Sequence, residues 1–170
     1  TTHWTQLRFL DFSKNPLEDL GIVTLLKWLP KATELTHLDL SHTEFTQDTL
    51  DQLSSAIAQL PLRFLSLNST PEIDLFPDLS LTLSNSLELE TLQLAHFGES
   101  LDEALVSVLG KLTNLTRLDL SFNYFSARNV KYVALELENL TKMQYLSLGG
   151  NWNDSAFPEL STAFKKLHSL

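Results

Sequence analysis

Apolar residues recur along the chain in one repeated arrangement. Six segments carry an apolar residue at their first, fourth and sixth positions, and the residues between these positions are mostly polar. The segments start at residues 7, 35, 62, 89, 115 and 143, so consecutive starts are 28, 27, 27, 26 and 28 residues apart. Apolar alternation within a segment is typical of a β-strand. Its return at a nearly constant interval predicts a stack of structural repeats.

The stretches between the predicted strands carry apolar residues at helical spacing. Ser100 and Glu103 form the pattern of a capping box before one of these stretches. Pro77 and Pro158 stand where helices would begin, a position that tolerates proline because no amide proton is needed there. Helices are predicted most clearly within residues 22–29, 49–60, 100–112 and 130–140.

The six segments resemble the leucine-rich repeat, whose pattern is L-x-x-L-x-L-x-x-N-x-L, over nearly the whole chain. The copies LRFLDFSKNPL at 7–17 and LTRLDLSFNYF at 115–125 match it most closely. Repeats of 26 to 28 residues that contain a helix resemble the ribonuclease-inhibitor-like class of this family. The resemblance implies an α/β solenoid of about six repeats, with a concave parallel β-sheet inside and convex α-helices outside.

The asparagine position of the pattern is kept in only half of the copies. The first, fifth and sixth copies have Asn15, Asn123 and Asn151, whereas the second, third and fourth have Thr43, Thr70 and Phe97. In the family this asparagine bonds turn backbone along a ladder between repeats. The resemblance therefore implies a ladder that is interrupted in the middle of the stack, most clearly at Phe97.

The repeats fill residues 1–170, which are interpreted as one leucine-rich repeat domain. Terminal repeats of a solenoid normally carry a polar cap, and the sequence gives no clear cap at either end. We therefore expect the domain to be part of a longer protein; the alternative is that Trp4 and the last helix cap the stack. Trp28 lies in an apolar helical stretch and is expected in the core.

One strand segment, LTHLDLSHTEF at 35–45, raises the question of catalysis. His37, Asp39 and Ser41 alternate along it, but alternate residues of a strand lie about 6.6 Å apart, too far for the hydrogen bond that a nucleophile and its base require. His37 and Asp39 with Asp11 of the neighbouring strand offer a metal-binding alternative. Exposed histidine and aspartate on a sheet are more often simply solvated. We expect no catalytic residue, no metal site and no cofactor.

Composition narrows the range of partners and locations. The chain has 12 Lys and Arg against 21 Asp and Glu, a net charge of −9, without a basic cluster. This balance disfavours nucleic acid and anionic membranes as partners, and no apolar run is long enough to span a membrane. The absence of cysteine from the sequence favours a reducing compartment. We expect an intracellular, cytoplasmic protein, or one in a host cytosol if it is a secreted effector.

The residues between the core leucines face outward and define a candidate surface. Exposed aromatic side chains on a rigid face are frequent anchors for protein partners, and several occupy these outward positions, although single exposed aromatics are also common. We predict that the protein binds no small-molecule substrate. The residues predicted to contact a protein partner are Phe9, Asp11, Lys14, His37, Asp39, His42, Phe64, His96, Arg117, Phe122, Tyr145 and Trp152.

The predicted function is protein–protein interaction without enzymatic activity. Proteins of the class that this chain resembles mostly bind other proteins across the concave face. One alternative is a regulator of an enzyme, such as an activator of a small GTPase, which would need a rim residue such as Arg63 or Arg128 to complete the partner's active site. Another is the targeting domain of a bacterial effector that is delivered into host cells.

Overall fold

The computed structural model describes residues 3–69, 77–97, 103–151, 160–161 and 164–165. In this part of the chain, six short strands form one parallel sheet whose order follows the sequence. The strands are β1 (Phe9–Asp11), β2 (His37–Asp39), β3 (Phe64–Ser66), β4 (Thr91–Gln93), β5 (Arg117–Asp119) and β6 (Tyr145–Ser147). Each lies within one of the six predicted strand segments, which confirms the α/β solenoid of about six repeats.

Helices follow the strands on the other layer of the solenoid. They are α1 (Glu18–Leu26), α2 (Gln47–Ile57), α3 (Pro77–Asn85), α4 (Glu103–Leu109) and α5 (Ala127–Leu137), with 3₁₀ turns at His3–Gln6 and Leu29–Lys31. Within the described ranges, none of the helices has the length and apolar character needed to cross a membrane.

The predicted helices are present, but their ends differ from the prediction. The helix α1 begins at Glu18 instead of residue 22, and α2 begins at Gln47 instead of residue 49. Their first turns carry few apolar residues, and Leu20 of α1 is exposed, so the apolar spacing that identifies the packed face gives little signal there. Pro77 begins α3 as predicted. The capping residue Ser100 and Pro158 lie outside the described residues.

The core lies between the sheet and the helices. The strands pair without any shift, so the central leucine of each strand stands beside that of the next. In the second repeat Leu35, Leu38 and Leu40 have no exposed surface, as their motif positions predict. Leu10 and Leu146, on the first and last strands of the described sheet, are only half-buried. Stacking of neighbouring repeats is therefore what removes the leucines from water.

Trp28 is not a core residue, contrary to expectation, because 40% of its surface is exposed. The helix α1 ends at Leu26, so Trp28 follows the helix and lies on the flank of the first repeat. Its ring stacks on Trp4, with centroids 6.1 Å apart, and the Lys31 ammonium lies 4.7 Å from its centroid. Trp4 is half-buried and packs against the core.

Buried asparagines join the last repeats of the described stack. Asn123 has no exposed surface; its Oδ1 accepts from Phe97 N at 2.8 Å, and its Nδ2 donates to Leu94 O and Leu120 O at 2.8 and 2.9 Å. Asn151 bonds the backbone N of Asn123 and Leu120 O in the same manner. The amide side chain satisfies backbone groups that the turn would otherwise leave unpaired.

The ladder changes at Phe97, as the sequence predicts. The Phe97 side chain is fully buried among the core residues, so it contributes apolar contact at the asparagine position. In the third repeat Asn68, two positions earlier in the motif, accepts from Ala95 N at 2.7 Å. In the second repeat Thr43 Oγ1 donates to Leu40 O of its own turn at 2.6 Å. Thr70 lies outside the described residues.

The replacement Asn123→Ala is expected to lower the free energy of unfolding by about 2–4 kcal/mol, because the buried backbone N of Phe97 and O of Leu94 lose their hydrogen bonds from Asn123. Chemical denaturation followed by circular dichroism measures this. Asn15→Ala is the matched control: Asn15 holds the same motif position but is exposed and bonds Phe12 O and Ser13 O of its own turn. Its loss is expected to cost about 1 kcal/mol or less. Equal costs for the two variants would contradict the role of the ladder.

Candidate functional site

Three rings on the concave face form a continuous aromatic row: Phe9, His37 and Phe64. These residues occupy the same position of β1, β2 and β3 and are paired in register. The His37 ring lies 5.7 Å from Phe9 and 5.6 Å from Phe64, and it is within 12° of parallel to Phe64. Phe9 is 62% exposed, and the other two rings are half-buried. The sheet thus fixes an apolar strip at a surface that water reaches.

The other end of this column is cationic and aromatic. Arg117 on β5 and Tyr145 on β6 are register partners, and the Arg117 guanidinium carbon lies 4.1 Å from the Tyr145 ring centroid. Both residues are exposed. Such cation–π stacking orients the guanidinium without using its N–H donors. Thr91 on β4 separates this pair from the aromatic row.

The aspartates of the concave face close the turns that follow their strands. Oδ1 of Asp11, Asp39 and Asp119 accepts from the backbone N two residues later, at 2.8, 2.9 and 3.0 Å respectively. For Asp11, hydrogen bonds from the Ser13 side chain and then its backbone hold the pKa below its ordinary value, with a smaller contribution from Lys14. Asp11 and Asp39 were predicted as partner contacts; the structure also gives them this local role.

A second column, the turn row, follows the strands at the eighth position of each repeat. All six of its residues have positive φ, between 51° and 73°: Lys14, His42, Ser69, His96, Phe122 and Gly150. Five of them are not glycine, although this conformation costs a side chain on the order of 1 kcal/mol or more. The backbone N of each of these five donates to a carbonyl of the next repeat at 2.7 to 3.0 Å. The inter-repeat bond therefore holds the turn in its unfavourable conformation.

The turn row contains a tight aromatic stack. His96 and Phe122 have ring centroids 4.4 Å apart and planes within 6° of parallel. The Phe122 ring extends over the next turn and occupies the space that a Cβ atom at Gly150 would take. Gly150 is thus required by its φ of 73° and by the ring above it. Tyr124, 65% exposed, lies two residues beyond Phe122.

Gly150→Ala is expected to lower the free energy of unfolding by about 1–2 kcal/mol and to displace the Phe122 ring, because the new methyl group meets both the strained backbone and the ring. Thermal unfolding measures the first effect, and the aromatic proton spectrum of Phe122 measures the second. Gly149→Ala is the adjacent control, since a Cβ there has no neighbour within 4 Å. A Gly150 variant as stable as the Gly149 variant would contradict the packing of this turn.

The residues considered for catalysis do not assemble into a nucleophilic site. Ser41 is buried, and its Oγ lies 2.5 Å from Ser66 Oγ of the next strand. His37 Nδ1 instead contacts Thr36 Oγ1 at 3.0 Å. Within the described ranges, His37, Asp39 and Asp11 are not part of any cluster of three metal-ligating side chains.

The two rim arginines considered for enzyme regulation both have acidic neighbours. Arg63 pairs with Glu90 at 3.1 Å, and Arg128 pairs with Glu103 at 2.9 Å while its guanidinium carbon lies 5.5 Å from the Tyr132 ring. The hydrogen bond with Tyr132 and the charge of Glu103 raise the pKa of Arg128. Nothing in this arrangement marks either residue for insertion into a partner's active site.

The predicted contact residues fall on adjoining parts of the surface. Those in the third and fifth positions lie on the concave strands, whereas Lys14, His42, His96 and Phe122 lie in the turn row at the strands' carboxyl ends. Lys14 and His42 also line a shallow groove with Pro16 and Glu44. Trp152 lies outside the described residues. Tyr124, at an outward-facing motif position, adds to the exposed aromatic surface beside the turn row.

Comparison with known proteins agrees with the repeat architecture. A family model described as "Leucine Rich repeat" matches residues 5–26 and 111–127, which contain the first and fifth copies, the two that fit the pattern most closely. No curated protein sequence matches the chain.

Solved structures share the fold. The leucine-rich repeat ectodomain of the Arabidopsis receptor kinase HAESA, solved with a peptide hormone ligand, is 25% identical with a TM-score of 0.53, over 81% of this chain and 22% of that chain. The tropomodulin C-terminal domain from Caenorhabditis elegans is 12% identical (TM-score 0.55), covering 96% of this chain and 86% of that one. An internalin from Listeria monocytogenes is 18% identical (TM-score 0.53), and the match covers 100% of this chain and 67% of that one.

The chain thus spans only 22% of the length of the Arabidopsis ectodomain. The tropomodulin and internalin structures support the fold. Six repeated motifs, a parallel sheet in sequence order and the matching family segments lead to the same assignment. The chain is a leucine-rich repeat protein.

Proposed function

We propose that this protein is a non-enzymatic interaction module that binds a protein partner across its concave face. The observation that carries the proposal is the aromatic row: three rings in register on adjacent strands, with Phe9 exposed over 62% of its surface. Aromatic residues on a rigid face are among the residues that contribute most to protein binding energy. Tyr145, at the other end of the column, provides a further anchor.

The rigidity of the face favours affinity. The row residues are carried by strands whose backbone is hydrogen-bonded to the neighbouring repeats, and the rings also contact one another. Side chains that are already held in place lose little conformational entropy when a partner covers them. Six strands about 4.8 Å apart span roughly 24 Å, enough for a segment of a partner to lie across the sheet.

The comparison with the Arabidopsis ectodomain supports this choice by analogy. That protein is in complex with a peptide hormone, and this chain is similar to part of it. A protein segment is accordingly the partner class that we propose here. We also propose the cytoplasm as its location, because a sequence without cysteine suits a reducing compartment.

The variants Phe64→Ala and Tyr145→Ala are each expected to weaken partner binding about tenfold or more, because each removes an aromatic anchor from the face. The partner is first captured by a photo-reactive amino acid placed at position 64 or 145. Its affinity for the purified variants is then measured by calorimetry, with circular dichroism as the test of folding.

The matched controls lie on the convex side. Leu20 on α1 and Leu81 on α3 are 80% and 67% exposed, so Leu20→Ala and Leu81→Ala remove comparable apolar surface away from the sheet. Their affinities are expected to stay within about twofold of the original, since exposed contacts outside an interface contribute little. Loss of affinity in the controls, with none in the concave variants, would place the partner on the helices.

A further inference from the structure

The concave face is chemically asymmetric along the stack, and this asymmetry specifies a partner. One end combines the aromatic row with the adjacent carboxylates Asp11 and Asp39; the other combines the Arg117–Tyr145 pair with a single carboxylate, Asp119. The middle of the face presents the uncharged residues Thr91 and Gln93 on β4. A ligand that matched the whole face would therefore need different chemistry at its two ends.

The carboxylates Asp11 and Asp39 lie side by side as register partners on β1 and β2. In each, Oδ1 accepts a turn N–H, and Asp11 also accepts from the Ser13 side chain. A carboxylate has about four acceptor positions, so each aspartate keeps acceptor capacity for a partner. Like charges opposite each other on neighbouring strands repel. Lys14 is the cation whose charge acts on Asp11. A basic side chain from a partner, placed between the two aspartates, would relieve the repulsion while its neighbours cover Phe9 and Phe64.

Arg117 provides the complementary feature at the other end. Arg8, Arg63 and Arg128 each form an ion pair. Arg117 forms no salt bridge within the described ranges; its guanidinium lies over Tyr145. The aspartate on its own strand, Asp119, accepts from both the N and the Oγ of Ser121. Arg117 is thus exposed, oriented by a ring and suited to bind a carboxylate.

On the basis of the proposed function, we infer that the partner is an extended protein segment that carries a basic residue and, further along the chain, an acidic residue. A basic residue next to an apolar one binds Asp11, Asp39 and the aromatic row, and an acidic residue further along binds Arg117. Arg117 lies four strands from Asp11 and three from Asp39, or about 14–19 Å. An extended chain covers that distance in about four to six residues; a helix would need roughly ten to thirteen.

The test selects peptides with the intact chain. The protein is immobilised and exposed to a phage-displayed library of random peptides long enough to contain either spacing. Enriched sequences are expected to carry a basic and an apolar residue at one end and an acidic residue about four to six positions away. Failure to enrich this order, or enrichment of the roughly ten-to-thirteen-residue helical spacing, would overturn the inference.

Affinity measurements with the best synthetic peptide then test the assigned contacts. The double variant Asp11→Asn with Asp39→Asn keeps an amide oxygen for the turn bonds but removes both charges, and Arg117→Gln removes the cation; each is expected to weaken binding about tenfold. Asp48→Asn on α2 and Arg128→Gln on α5 are same-charge controls on the helices. Arg117→Glu is expected to regain affinity for a peptide whose acidic residue is replaced by lysine.

The outcomes separate this inference from the proposed function. If a peptide loses affinity for the Phe64→Ala variant but binds the Asn and Gln variants with unchanged affinity, the inferred pair of ordered charges is contradicted. The proposed binding site on the concave face is then still supported. Peptides indifferent to Phe64→Ala, Tyr145→Ala and the charge variants would contradict both. Loss in the charge variants with full affinity in the Asp48 and Arg128 controls supports the inference.

Discussion

The structure depends on the unshifted pairing of six very short parallel strands. Each strand is three residues long and brings its central leucine beside that of its neighbour. Side chains alternate between faces, so a shift of one residue would move the leucines out of the core and the outward residues into it. Unshifted register buries the leucines and also aligns Phe9, His37 and Phe64 into one row. Stability and the candidate binding surface thus follow from the same constraint.

Repetition explains how much of the fold could be predicted. A single segment such as LTHLDLSHTEF is ambiguous, but six copies identify Leu35, Leu38 and Leu40 as core and the intervening positions as outward. Helix ends were less predictable because their first turns carry few apolar residues. The position of Trp28 was predicted incorrectly because α1 ends at Leu26. Helical spacing alone does not show where a helix stops.

The site was predictable as a set of outward positions but not as a set of contacts. Sequence spacing placed His37 on the sheet face, whereas its contacts with the rings of Phe9 and Phe64 are visible only in the structure. The backbone conformation of the turn row was even harder to predict from the sequence. Among its six residues only Gly150 is glycine, the residue type that usually signals positive φ. The other five adopt this conformation because a bond to the next repeat holds them. Long-range pairing there outweighs local preference, which a single sequence does not reveal.

The central claim is that the outward column of the sheet receives a protein partner. The most direct measurement is a titration of the protein with its captured partner, followed through the NMR signals of assigned aromatic side chains. We expect the signals of Phe9, Phe64 and Tyr145 to shift or broaden, while those of Trp4 and Trp28, stacked together on the flank of the first repeat, stay unchanged. Changes confined to the two tryptophans, with the concave rings unaffected, would contradict the account.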